Sequence, residues 1–382
     1  MPYLSDTLTV ERGAVYYAEN PLPMTVAHIP GPRALGGRET NYHLLDITWD
    51  GYKTWFTMFH GFCDGQGIDA FLESVLYHYY CMKDGKEYDP NGIRTDQGQM
   101  TEAETVEPLA KTYAVSPDFA MPERGQQAAP YHLPELQPDP LGGDVLEYGF
   151  CLPSDALMAI TRENGTSPSV LLSMLVGEAV LRVHPDADAP IVANIPMSDR
   201  RMLGCDETFK NCSSRAVLPV RGTPLDVLPF AGRAMQFRGA LKQQMMPDLC
   251  RSIYNMLGGI YRKRMEEAAD YREEIKKPAG IFTICHDTFY TDYIGSFHKT
   301  AYSDRITDVR FLCKPSAGNT LQMNVIEHGG QFRIALLACN NVSAIADALE
   351  QEMKDRGLIV RRTSVRRFSL PRASWREGME EI

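Results

Sequence analysis

One histidine stands where acid–base chemistry is feasible: His60, within Phe59-His60-Gly61-Phe62-Cys63-Asp64-Gly65. A neutral imidazole near pH 7 can take a proton from an attacking hydroxyl or amine. Such work needs the ring held in place, which regular elements do better than loops. Upstream, residues 53–60 alternate Trp55, Thr57 and Phe59 with Phe56, Met58 and His60, a strand pattern. Residues 42–49 form a second such run, and Asp50-Gly51 between the two predicts a hairpin closed by a type I′ turn. Downstream, Ile68, Phe71, Leu72, Val75, Leu76 and Tyr79 repeat at helical spacing. They predict a helix from near Gly67 with one buried stripe. His60 is thus expected at a strand end just before a helix N-terminus. Gly61, Gly65 and Gly67 would leave the backbone open to close approach. A hydrogen-bonded structural histidine fits the same spacing.

The pattern His-x-x-x-Asp-Gly, carried by His60, Asp64 and Gly65, resembles the signature of the chloramphenicol acetyltransferase-like superfamily. That group includes alcohol O-acetyltransferases, plant acyl-CoA-dependent acyltransferases and the condensation domains of nonribosomal peptide synthetases. The resemblance implies a two-domain α/β fold, each half a mixed sheet covered by helices, with an active-site channel between them. It implies acyl transfer from a thioester, acyl-CoA or an acyl-carrier protein, to a hydroxyl or amine acceptor. His60 would be the general base, and the thioester a co-substrate rather than a tightly bound cofactor. Asp64 would be structural, paired with an arginine. Arg200, four residues after Pro196, matches that partner, with Arg201 as the alternative. Gly65 would keep the channel open. Tyr290-Thr291-Asp292-Tyr293-Ile294-Gly295 resembles the late segment in which a hydroxyl and a glycine approach the channel. The oxyanion partner then falls at Thr291 or Asp292. Thr291 is preferred, since a carboxylate would repel an oxyanion. Asn211 is a further polar candidate whose default role is turn or strand-edge bonding. The start, Pro2-Tyr3-Leu4, is similar to the alcohol O-acetyltransferase-like branch, whose members usually carry a further strand and helix before it.

Composition narrows the field. The 382 residues are 44% hydrophobic and 23% charged, ordinary for a globular protein with room for two domains. A net charge of −10 argues against nucleic acid as the main partner. No apolar run is long enough for a membrane span, and no secretory signal is visible at the start. Nine cysteines without a Cys-x-x-Cys pair argue against a zinc site and fit reduced thiols in a cytoplasm. Cys63 reads as a buried structural thiol rather than a nucleophile. Nucleophile-elbow, phosphate-loop and zinc-protease motifs are absent from the sequence.

Taken in order, residues 1–145 form the predicted N-terminal half carrying the motif. It opens on two short strands at 8–17 and ends in a proline- and glycine-rich stretch with a short helix at 100–112. Residues 146–360 form the predicted C-terminal half. Its expected elements are strands at 145–152, 189–196, 215–220, 281–285, 290–295, 321–327 and 331–338. Helices are expected at 154–164, 168–184, 229–246, 248–272 and 342–356. Ser167-Pro168 starts one helix by its cap and first-turn proline. Residues 361–382 hold six arginines and read as a basic tail, solvated or docked on the protein itself. His28, His43, His132, His286, His298 and His328 lie outside any motif. Rival readings are condensation on carrier-bound substrates, and a non-catalytic relative that binds a ligand or partner in the same cleft.

Overall fold

The computed structural model describes residues 2–11, 14–95, 100–108, 129–136, 144–267, 287–297, 302–313, 315 and 321–369. In chain order the elements are β1 (Thr7–Glu11), β2 (Ala14–Ala18), β3 (Val26–His28), β4 (Leu45–Asp50), β5 (Lys53–Met58), α1 (Gly65–Asp84) and α2 (Glu102–Thr105). Then follow β6 (Asp144–Pro153), α3 (Ser154–Glu163), α4 (Pro168–Val183), β7 (Ile191–Ser198), α5 (Arg200–Leu203), β8 (Ser213–Arg221), α6 (Phe230–Gln244) and α7 (Pro247–Glu267). The last are β9 (Phe289–Ser296), β10 (Leu321–His328), β11 (Gln331–Ala338), α8 (Ser343–Asp355) and β12 (Arg361–Ser369). Strands β3, β4 and β5 make a small mixed sheet, and a seven-stranded sheet runs β12-β6-β11-β10-β9-β7-β8. The large sheet is mixed too, with β9 parallel to both β7 and β10.

Side chains alternate across a strand, so the large sheet has two unlike faces. On one face Phe150, Leu152, Phe332, Ile334, Leu336, Met323, Val325, Phe289 and Ile195 join one hydrophobic core. Helices α4 and α8 cover it, contributing Leu171, Leu175, Ile345 and Leu349. Each such side chain contributes roughly 1.5–3 kcal/mol by leaving water. The other face carries Glu147, Asn194, Gln322 and Asn324, all buried. A polar face withdrawn from bulk solvent is where the second layer of the molecule meets the sheet.

Local structure departs from the sequence reading at four places. The β4–β5 hairpin closes on the pair Asp50–Lys53, so the central residues are Gly51 and Tyr52. Only Gly51 has positive φ, at 59°, which suits a type II′ turn rather than I′. The α1 stripe is half-buried from Ile68 to Leu76 and exposed at Tyr79, and the enclosed side chains are its neighbours Tyr77 and Tyr80, because three strands are too few to cover a long helix. The helix expected at 100–112 is a single turn in its described part. The basic tail begins as an edge strand: β12 pairs with β6 throughout its length. There Arg362 reaches Asp347 (2.7 Å) and Glu350 (2.9 Å), and Arg367 reaches Asp144 (3.7 Å). Charged side chains on an edge strand also hinder pairing with another chain. Residues 370–382 and the expected strand at 281–285 lie outside the described residues.

Candidate active site

Strand β5 stops at Met58 because the chain then folds into a turn, Phe62 N donating to the Phe59 carbonyl at 3.1 Å. His60 therefore lies in that turn, two residues past the observed end of the strand rather than at its end as expected, with its side chain exposed. Gly61 is required by its own neighbours. A Cβ there would sit 2.3 Å from the Phe59 ring and 2.8 Å from the Tyr17 hydroxyl. Asn211, immediately before β8, meets the histidine from the other half of the molecule. Its Nδ2 lies 3.2 Å from His60 Nδ1 and 3.2 Å from the His60 carbonyl oxygen. Its Oδ1 accepts from Ser213 Oγ at 2.8 Å. Turning this amide over would set two acceptor oxygens against each other at the His60 carbonyl. Asn211 therefore keeps Nδ2 toward His60, bonded to the carbonyl and beside Nδ1, and no hydrogen-bond partner of Nε2 is found among the described residues.

Asp64 takes no part in orienting the imidazole. Its carboxylate caps α1, accepting from Gly67 N at 2.9 Å. Cys212 N donates to it at 2.9 Å, and Arg200 binds it through two parallel hydrogen bonds of 2.7 Å. Arg200 in turn donates to the carbonyls of Thr208 (2.9 Å) and Lys210 (3.0 Å). Both partners are enclosed, Asp64 at 7% and Arg200 at 4% exposure, whereas Arg201 is exposed. The pair ties α1 to the turn after β7. Ser198 Oγ adds a third tie by donating to Gln66 Oε1 at 3.0 Å. Cys63 is fully buried against Met58, and burial pushes its thiol up to about 12, a value at which it is no nucleophile.

Three solved structures share this architecture. TRI101 of F. sporotrichioides, complexed with coenzyme A and T-2, matches with a TM-score of 0.54 and 12% identity over 94% of this chain and 87% of its own. Polyketide synthase associated protein 5 from Mycobacterium tuberculosis gives 0.53 and 14%, over 91% and 86%. The epimerization domain from the third module of tyrocidine synthetase B gives 0.52 and 13%, over 93% and 85%. The fold is the chloramphenicol acetyltransferase-like one. Neither a protein-family profile nor a curated protein sequence matches this chain.

Within this acetyltransferase-like fold, strand alternation on β9 corrects one site residue. Phe289, Thr291 and Tyr293 face the apolar core, and Thr291 is 0% exposed. Thr291 therefore points away from His60 and cannot reach an oxyanion there. Ile294, two residues from Asp292, faces the site instead. Its Cγ2 lies 3.2 Å from where a Cβ on Gly65 would be. Asp292 shares that face, where burial raises its carboxyl to about 6 against the opposing pull of His60, with Asp64 raising it further. No side-chain hydrogen bond or ion pair to Asp292 is found among the described residues. The strand period visible in the sequence already sets Thr291 and Asp292 on opposite faces. At Gly65 a Cβ would meet only the Ile294 side chain, and Gly67 is the more constrained glycine. A Cβ there would fall 2.1 Å from the Phe209 carbonyl oxygen. Among the described residues no group of three or more His, Cys, Asp or Glu side chains is arranged to hold a metal ion. No single described helix is long and apolar enough to cross a membrane.

Proposed function

We propose that the protein transfers an acyl group from a thioester to a hydroxyl or amine acceptor at His60. The observation that carries the reading is an exposed imidazole at the junction of the two halves, with Nδ1 beside Asn211 and Nε2 open. In the step, with the ring's resting proton on Nδ1, Nε2 takes the acceptor's proton as its oxygen or nitrogen attacks the thioester carbonyl. The carbon–sulfur bond then breaks, and the departing thiolate takes the proton back from the imidazolium. Both substrates meet at one nitrogen, so no covalent enzyme intermediate is needed. Coenzyme A is the preferred carrier of the acyl group, in keeping with the coenzyme A bound to TRI101, and a phosphopantetheinylated carrier protein is the other source. The acceptor is a small molecule.

The Asn211 contact favours a second arrangement of the same reaction. With Nδ1 accepting from the amide, the neutral ring carries its proton on Nε2 and donates toward the cleft. His60 would then stabilise the oxyanion, and Asp292, titrating near 6, would take the acceptor's proton. Mass spectrometry of products from acyl-CoA and acylated carrier protein, run with His60→Ala, His60→Gln and Asp292→Asn, separates the possibilities. Transfer that ceases in all His60 variants supports the base role. Transfer retained in His60→Gln but lost in Asp292→Asn supports the donor role. Identical products from His60→Ala and the natural protein would end both readings.

A further inference from the structure

Two opposite charges stand unpaired on the polar face of the large sheet. On β8, Leu218 faces the apolar core, so Arg215 takes the other face, where its Cα partner on β7 is Pro196. Strands β7 and β9 pair at Ala193–Phe289 and Asn194–Tyr290, and two residues further along each strand Pro196 and Asp292 continue the face of Asn194 and Tyr290. Asn324 on β10 is the Cα partner of Asp292. One row thus runs Arg215, Pro196, Asp292, Asn324. Arg215 is half-buried, and its side-chain hydrogen bond goes to the Tyr290 hydroxyl at 3.4 Å. Among the described residues no carboxylate lies within ion-pair distance of Arg215, and no cationic nitrogen within that distance of Asp292. Asn324 is 1% exposed. Its Oδ1 accepts from Cys313 N at 3.3 Å, whereas its Nδ2 has no partner.

A half-buried charge without a counter-charge, or an enclosed amide donor without an acceptor, costs stability. What answers the two charges is a ligand with a carboxylate for Arg215 and an ammonium for Asp292. Backbones two strands apart stand roughly 10 Å from each other. One α-amino acid, held at each end by a charge-assisted hydrogen bond of about 2.8 Å, bridges on the order of 8 Å between side-chain atoms. Such a molecule joins two groups that do not reach each other directly. Its ammonium end would lie at Asp292, the end of the row whose charge His60 feels.

We propose that the acceptor is a free α-amino acid, its carboxylate on Arg215 and its ammonium on Asp292, with Asn324 Nδ2 an open donor beside them. The inference rests on the acyl-transfer reading with His60 as base. The ammonium gives one proton to the Asp292 carboxylate. The amine so formed attacks the thioester carbonyl, and His60 Nε2 takes its second proton as the carbon–nitrogen bond forms. The carbon–sulfur bond breaks, the thiolate leaves with the imidazolium proton, and the Asp292 proton passes to solvent. Each turnover yields an N-acyl amino acid, a thiol and one proton. Burial, which raises the Asp292 carboxyl to about 6, narrows its gap from the amine and eases the first transfer. A carboxylate on Arg215 also excludes an acceptor tethered to a carrier as its thioester.

Calorimetry on the full chain compares L-serine, L-glutamine, L-leucine and L-phenylalanine with their methyl esters and N-acetyl derivatives. At least one free amino acid binds, and removing either charge weakens it about tenfold or more, as for hydrogen bonds to charged groups. Arg215→Gln brings the free amino acid down to the affinity of its methyl ester and leaves the melting temperature unchanged. Arg215→Lys restores part of the difference, and Asp292→Asn brings the amino acid down to its N-acetyl derivative. Esters that bind as tightly as the free acids, an advantage that survives Arg215→Gln, or no binding by any of the four overturns the site. Arg215-dependent binding with no transfer from any thioester would sink the acyltransferase reading and leave the site standing. Transfer to acceptors lacking a carboxylate, at a rate that Arg215→Gln does not change, would do the reverse.

Discussion

A carboxyl group withdrawn from water holds its proton longer than one in solvent, and Asp292, its proton held by burial against the pull of His60, illustrates the consequence. Its pKa in the folded protein, about 6, lies above its ordinary value of 3.8. The proton is thus bound more tightly by the folded state. The associated stability is complete below about 3.8 and lost as pH rises through about 6. At pH 7.5 the ionised group costs up to about 3 kcal/mol. Asp292→Asn should therefore raise the melting temperature at pH 7.5, with the gain shrinking as pH falls from 6 toward 4. A gain of equal size at pH 5 and pH 8 would contradict this. His60, Asp64, Gly65 and Arg200 were legible in the sequence because each sits at a fixed spacing from a motif. Asp292 was within reach of the same reasoning, since parity along β9 separates it from Thr291. What the sequence could not supply was which parity faced the core, because that depends on α4 packing against the sheet.

At the scale of elements, the head of α1 depends on two glycines for different reasons. Gly67 abuts the Phe209 backbone, where a Cβ would fall 2.1 Å from the carbonyl oxygen, and backbone there cannot move aside cheaply. Gly65 faces only Ile294, at 3.2 Å, a side chain with room to shift. Gly67→Ala should lower stability by about 1–3 kcal/mol, the range for overpacking, in urea denaturation. Gly65→Ala should fold with less than half that loss. Equal losses would show that the two glycines do the same job. Helix boundaries were legible to within a few residues where caps mark them, as at Ser167-Pro168, whose hydroxyl accepts from Val170 N. Strand β12 was not. Its arginines suggest solvation when read alone, and the carboxylates that accompany them, Asp347 and Glu350 on α8 and Asp144 on β6, meet them only once β12 is paired.

For the whole molecule, the two halves meet at a buried ion pair and at a small apolar cluster in which Tyr77, Tyr80 and Ile93 pack with Tyr302. The Asp64–Arg200 pair sits beneath the motif and joins α1 to α5. Removing the carboxylate strands an enclosed guanidinium, so Asp64→Ala should cost about 3–5 kcal/mol in urea denaturation. A loss under 1 kcal/mol would mean that the pair adds nothing to the joining of the halves. The two-half arrangement could be read from the sequence because motif residues recur in both, His60 and Asp64 in one, Arg200 and Asn211 in the other. Their meeting point could not, since it is made by hydrogen bonds spanning well over a hundred residues. The most direct test of the account is the rate of acyl transfer from a panel of acyl thioesters, followed by mass spectrometry, for the natural protein and for His60→Ala at matched melting temperature. The account predicts transfer that falls by about 10²–10⁴ in the variant. Equal rates in the two proteins would contradict it.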